Sequence, residues 1–234
     1  MPEKSTPRST GADSRIAASR LDQKEWNERY DTSGDEPDDD ANMWSGQPNG
    51  SLTAEFPVQG DERRALDIGC GEGADAIWLD KQGWQVEVVD ISTLSIDRAI
   101  KAAKHHAATV DFTARDILME PPTADRYDLI TMSYPALRIV DADQVVDHLV
   151  AALRPGGELL VVGHSLDETK PAQTEEHSFD PDDYLAIDQI VARLDAAVTI
   201  KVNEKRPRPN PPAGSRHHED HVLRVQKLTA SPGT

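Results

Sequence analysis

The sequence predicts an α/β fold: a mainly parallel, seven-stranded sheet wound on both faces by helices, with an antiparallel C-terminal hairpin. Three observations carry this. From Arg64 onward, short apolar runs alternate with helical periods, and parallel strands need such crossovers between them. The run Ala65-Leu66-Asp67-Ile68 passes into the turn Gly69-Cys70-Gly71-Glu72-Gly73 and then into a helix. The last two strand-like runs, Ala197 to Glu204 and His221 to Leu228, are joined only by the Pro-rich segment Lys205 to His218. No helix fits there, so those two strands pair antiparallel.

The elements follow in order. Leu21 to Tyr30 reads as a short helix with Trp26 and Tyr30 at i, i+4. Asp31 to Asp40 is an acidic, solvated loop, and Trp44-Ser45-Gly46-Gln47-Pro48-Asn49 is a turn-rich loop whose aromatic packs on something. Ala74 to Gln82 is a helix stopped by Gly83. Val86 to Asp90 is a strand, and Ser92 caps a helix running to about His106. Val110 to Ala114 and Tyr127 to Tyr134 are the third and fourth strands. Asp141 to Leu153 is helical, with Val145, Val146, Leu149 and Leu153 on one face. Arg154-Pro155-Gly156-Gly157 breaks that helix, and Glu158 to Gly163 is the fifth strand. Asp180-Pro181-Asp182-Asp183 has the N-cap and first-turn proline of one more helix.

Composition narrows the function classes. Residues 1–20 are rich in Ser, Thr, Arg and Pro without an apolar period and read as a disordered tail. They lack the apolar stretch of a secretory signal or membrane span. Residues 21–60 are expected to cover the glycine turn, 61–228 to form the α/β domain, and 229–234 to be a second tail. With 25 Lys+Arg against 42 Asp+Glu, the formal charge of −17 repels a phosphate backbone, so nucleic acid is disfavoured as a partner. A single cysteine, Cys70, fits a reducing cytoplasm.

A strand, a glycine turn and a helix N-terminus together make a cofactor site. Gly69, Gly71 and Ala74 also satisfy the dinucleotide fingerprint, with Asp90 about 20 residues on as a ribose acid. A nicotinamide oxidoreductase therefore competes. Against it, Asp67 stands just before the glycines, where a cationic ligand group, and not a pyrophosphate, wants a carboxylate. Glu72 adds negative charge inside the turn. Asp116 follows the third strand, placed to accept from an adenine amino group. The terminal hairpin departs from six parallel strands. These features favour a cationic adenosine cofactor, of which a sulfonium nucleoside is the common example.

Leu66-Asp67-Ile68-Gly69-Cys70-Gly71-Glu72-Gly73, Val88-Val89-Asp90, Ala114-Arg115-Asp116-Ile117 and Leu153-Arg154-Pro155-Gly156-Gly157-Glu158-Leu159-Leu160 resemble class I S-adenosylmethionine-dependent methyltransferases, which have a Rossmann-like fold. Within them, Trp26-Asn27-Glu28-Arg29-Tyr30, the Trp44 to Asn49 loop and the strand ending Val162-Gly163-His164 are similar to bacterial small-molecule enzymes of the tellurite-resistance and thiopurine methyltransferase group. The resemblance implies a small-molecule methyl acceptor and a set of cofactor contacts. Gly69, Cys70 and Gly71 let the methionine part lie on the turn, with Asp67 near its amino group. Asp90 takes the ribose hydroxyls, Ile91 packs on adenine, and Asp116 and Ile117 meet the adenine edge. Met132 and Ser133 lie under the reacting sulfur. Where that group often carries a histidine after the fourth strand, this chain has Ala136.

The remaining candidates divide between chemistry and packing. His164 and Tyr134 are candidate catalytic groups, with a structural histidine and a packing tyrosine as alternatives. Trp44 either packs or lines the pocket. Cys70 reads as small filler, since no paired base accompanies it. His217, His218 and His221 lack an ordered set of partners, so no metal site is expected. Lys205, Arg206 and Arg208 read as a solvated hairpin loop, with contact to an acidic substrate as the alternative. A non-catalytic S-adenosylmethionine-binding regulator is the third class of function kept open.

Overall fold

The computed structural model describes residues 22–31, 43–57, 61–165, 183–211 and 218–229. The predicted tail at 1–20, most of the acidic loop and residues 180–182 lie outside them. Helix α1 covers residues 22–31, and α2 is Gly50–Glu55. Then follow β1 Arg64–Ile68, α3 Ala74–Lys81, β2 Gln85–Asp90, α4 Thr93–His105, β3 Val110–Ala114 and β4 Tyr127–Ser133. After a 3-10 turn at Ile139–Asp141 come α5 Ala142–Ala152, β5 Leu153–His164, α6 Ile187–Val191, β6 Val198–Pro207 and β7 Glu219–Lys227.

The strands form one seven-stranded sheet in the order β3-β2-β1-β4-β5-β7-β6. β1 to β5 pair parallel, and β7 pairs antiparallel with both β5 and β6. Side chains alternate across the sheet as a period of two requires. Ile130, Met132, Leu159, Val161 and Leu223 face α5 and α6. Leu129, Leu160, Val162 and Val222 face the core that holds α2, α3 and α4 residues. Most of these side chains have no exposed surface, and each contributes about 1.5–3 kcal/mol by leaving water. β6 is the edge strand. Its exposed Lys201, Glu204 and Lys205 discourage pairing with a further strand.

Three details differ from the sequence reading. The loop ending at Asn49 leads into a helix that was not expected: Asn49 Oδ1 accepts from the Ser51 and Leu52 N–H groups and so caps α2. β5 begins at Leu153, ahead of the predicted Glu158. Residues 153 to 158 oppose only 127 to 129 of β4, so Pro155-Gly156-Gly157 forms an irregularity within the strand. Gly157 lies against Tyr127 O, with no room for a Cβ. The helix expected to open at Asp180 to Asp183 starts at Ile187. Tyr184 instead forms a bridge with Arg138, and the Leu185 N–H donates to Leu137 O, which holds this stretch extended.

Candidate active site

The chain turns from one half of the sheet to the other between β1 and β4, and the crevice beyond their C-terminal ends is where open α/β sheets bind ligands. The glycine turn sits there. Gly69 N–H donates to Val89 O at 2.8 Å, and Gly73 N–H donates to Cys70 O at 3.0 Å. Gly69 has φ +69°, and a Cβ placed on it would meet no protein atom within 4 Å, so its outer side is open. Gly71 has φ +55°, and a Cβ there would come within 3.3 Å of the Trp44 ring and the Tyr30 hydroxyl. The turn thus has a bare backbone below and an aromatic roof above.

Three carboxylates surround it. Asp67, at 1% exposure, is the next-to-last residue of β1, and its Oδ2 has no hydrogen-bond partner among the described residues. Asp75, in the first turn of α3, accepts from Asn49 N–H and from Ser133 Oγ, each at 2.6 Å. Asp90 accepts from the N–H groups of Gly71 (3.1 Å) and Ser92 (2.9 Å). Burial first, then Asp75 and Asp90, push the Asp67 carboxyl well above the usual carboxylate range. Burial also raises Asp75 and Asp90, against the hydrogen bonds each accepts. Among the described residues no lysine or arginine pairs with any of the three. Buried negative charge without a counter-ion is costly, and a bound cation relieves it. The same burial, with Asp90 and Asp67, pushes the Cys70 thiol up, away from a nucleophilic thiolate.

Glu72, the negative charge inside the turn, is paired within the protein. Its carboxylate accepts from the Met43 and Trp44 N–H groups and pairs with Arg98 at 3.0 Å. Its charge is neutralised there and ties the 43–49 loop to the turn. Arg98 also donates to Tyr30 O, and Trp44 Nε1 donates to Tyr30 Oη. Helix α1 is fixed alongside: Asn27 Oδ1 accepts from Ser92 Oγ at 2.7 Å, Gln23 Nε2 donates to Ile91 O, and Arg138 pairs with Asp22 at 2.8 Å.

The other predicted contacts lie along the same crevice. Asp116 Oδ1 accepts from Leu118 N–H, which shapes the turn after β3. The Ile117 side chain is buried in the core, and its carbonyl meets His148 Nδ1 at 3.1 Å. Ile91 is half-buried beside Asp90. Met132 is fully buried beneath the end of β4, while Ser133 is half-buried and held by Asp75.

On the β4–β5–β7 side the structure assembles residues that sequence reasoning did not connect. Tyr134 has φ +53°, an uncommon conformation for a bulky residue that concentrates at functional sites. Its ring stacks on His164 with centroids 4.3 Å apart, and Arg208 lies over it at 5.1 Å. Its hydroxyl donates to Asp220 at 2.7 Å. Asp220, fully buried, also accepts from Ser51 Oγ at 2.9 Å. Burial and then Asp220 raise the Tyr134 phenol above its ordinary range, so it stays protonated. His221 is turned aside to Asn203 at 2.8 Å.

Residues 65–157 match the model of a family described as a methyltransferase domain. Two relatives are each 31% identical. One is a ubiquinone biosynthesis O-methyltransferase of Coxiella burnetii, matched over 42% of this chain and 42% of its own. The other is methyltransferase GfsG of Streptomyces halstedii, matched over 48% and 43%. The chain thus spans less than half the length of these relatives. A structure titled for the conversion of a disulfide bond into a thioacetal group during echinomycin biosynthesis superposes with TM-score 0.68 at 20% identity, covering 90% of this chain and 94% of that one. An S-adenosylmethionine-dependent methyltransferase of Methanosarcina mazei superposes with TM-score 0.59 at 17% identity, covering 81% and 100%. The superpositions show a Rossmann-like fold, and the stretch that matches the family model runs from β1 to the first residues of β5. Among the described residues no helix is long and apolar enough to cross a membrane.

Proposed function

We propose that this chain is an S-adenosylmethionine-dependent methyltransferase, acting in the cytoplasm on a nucleophilic O, N or S of a small molecule. The observation that carries the reading is Asp67: a buried carboxylate with an unpartnered oxygen, beside an open glycine backbone. A cationic amino acid group and a sulfonium suit that environment, whereas a pyrophosphate does not. Asp67 takes the ammonium, Gly69 to Gly71 leave room for the methionine part, and Asp90 takes the ribose hydroxyls. Asp116, Ile91 and Ile117 hold the adenine. When bound, the cofactor supplies an already activated methyl group, and the protein's task is alignment and exclusion of water.

Trp44 and Tyr30 close the roof over Gly71, and Ser133, fixed by Asp75, sits at the end of β4 between the cofactor turn and Tyr134. Tyr134 and His164 are the residues offered to the acceptor. Segment 21–60 acts as the cover and 61–228 as the catalytic domain, with membrane and nucleic acid outside its partners. The narrower likeness, to the tellurite-resistance and thiopurine group, is supported by the seating of Tyr30 and Trp44 against the turn.

Calorimetric titration with S-adenosylmethionine, S-adenosylhomocysteine and NADH tests the reading. Both sulfur nucleosides bind and NADH does not; binding of NADH alone would overturn it. Asp90→Ala weakens S-adenosylhomocysteine by roughly 10–100-fold, the scale of hydrogen bonds to a charged group. Unchanged affinity would mean that Asp90 does not hold the ribose.

A further inference from the structure

We infer that the methyl acceptor carries a carboxylate and that Arg208 is the residue that pairs with it. This rests on the methyltransferase reading above and adds a substrate class to it.

The chain is strongly acidic, with 42 Asp+Glu against 25 Lys+Arg, and most described arginines are held by carboxylates. Arg98 pairs with Glu72, Arg138 with Asp22, Arg154 with Asp128, Arg206 with Glu55 and Arg224 with Glu158. Arg208 has no ion pair among the described residues. Asp220, the acid bonded to the tyrosine beneath it, already accepts from Ser51 Oγ and Tyr134 Oη and makes no ion pair with it.

Arg208 is not a loose loop residue either. Its N–H donates to His218 O at 2.8 Å, closing the base of the β6–β7 connection. The next residue, Pro209, is wedged so tightly against Gly50, at the start of α2, that no Cβ would fit there. The guanidinium rests over the Tyr134 ring, a contact worth about 0.5–1 kcal/mol at an exposed site. That contact uses a face and leaves the N–H edge, the part that grips a carboxylate as a two-pronged fork. Tyr134 follows the C-terminal end of β4 and His164 ends β5, so the guanidinium over the Tyr134 ring lies at the end of the sheet where open α/β sheets bind ligands.

The net charge of −17 opposes an anion at long range. At physiological salt, however, the screening length is about 8 Å, so a charge in contact outweighs distant ones. An anion finds its partner here, in a crevice otherwise lined by acids, and the acids reject a neutral or cationic substitute for the cofactor's own position less than they reject a misplaced anion. A carboxylate-bearing acceptor is therefore held by Arg208 and kept off the cofactor turn.

The test uses the full chain saturated with S-adenosylhomocysteine, titrated with benzoate and with benzamide, which match in shape and differ in charge, and followed by 15N chemical shifts. Benzoate is expected to bind at least about tenfold more tightly, a difference of about 1.4 kcal/mol. Arg208→Gln removes the preference, Arg208→Lys keeps part of it, and neither changes the affinity for S-adenosylhomocysteine. Equal binding of the two probes, binding of neither, or a preference that survives in Arg208→Gln would overturn the inference and leave the methyltransferase reading intact. Failure of S-adenosylhomocysteine itself to bind would take both down.

Discussion

The two halves of the crevice are built on different electrostatic plans. Around the glycine turn, Asp67, Asp75 and Asp90 are crowded together without a pairing cation among the described residues, and Asp67 keeps one oxygen unpartnered there. Beyond β4 and β5, Asp220 has hydroxyl donors for both oxygens, and Arg208 supplies positive charge above Tyr134. The first half leaves buried acid unpaired among the described residues; the second has its buried acid satisfied and presents a cation. The difference teaches where a ligand's own charge would be needed, and it is the contrast on which the proposed division into a cofactor side and an acceptor side rests.

The largest expected effect breaks the first half. Asp67→Asn removes the ammonium's partner and weakens S-adenosylmethionine by about 1.5–3 kcal/mol, roughly 10–100-fold. It also removes a buried, uncompensated carboxylate, so the unliganded protein melts at the same temperature or higher. Loss of affinity together with a lowered Tm would show that Asp67 is structural.

A second effect follows from the raised Asp67 carboxyl. Cation binding selects the ionised form, so S-adenosylmethionine affinity rises with pH, by at most about tenfold per unit for a single group, until the raised value is passed. Stability of the unliganded protein runs the other way. The folded state keeps a proton that the unfolded chain releases near pH 3.9, so the stability present below that pH is lost as pH rises through the raised value. Calorimetry in buffers of different ionisation enthalpy checks the proton release on binding; none in Asp67's titration range would refute the coupling.

The smallest effect sharpens the contrast from the other side. Asp220→Asn disturbs the Tyr134 and Ser51 hydroxyls and costs about 1 kcal/mol of stability, read as a lower Tm. It leaves S-adenosylhomocysteine affinity unchanged. A parallel loss of cofactor affinity would mean that the two halves are not independent.

This division also explains what was legible in the sequence. Asp67, Gly69, Gly71 and Asp90 belong to one β-turn-α-β stretch, so local spacing exposes them, as it exposes the order of the seven strands. Asn49, Ser51, Tyr134, His164, Arg208 and Asp220 come from α2, the ends of β4 and β5, the β6–β7 connection and β7. Only the folded sheet brings them together, and no spacing within the chain announces it. Sequence alone therefore places Arg208 in a hairpin loop, with an acidic substrate as the alternative, and does not show the Tyr134 ring beneath it. The converse holds for Glu72: its position in the turn shows a negative charge, but not that Arg98 and the 43–44 N–H groups, distant in sequence, neutralise it. Asn49 did carry a local signal, a capping residue followed by Leu52 and Phe56, and a closer look at that spacing would have found α2.

The strand order has a kinetic consequence. β7 lies between β5 and β6 although it is made last. Until residues 219–227 are available, the Leu159–Val162 stretch has an unpaired apolar edge, and β6 has nothing in the sheet to join. The first five strands pair among themselves, whereas β6 joins the sheet only through β7. Pairing of this kind is non-local, which slows folding, and the segment that carries Asp220 completes the crevice only when β7 is seated against β5.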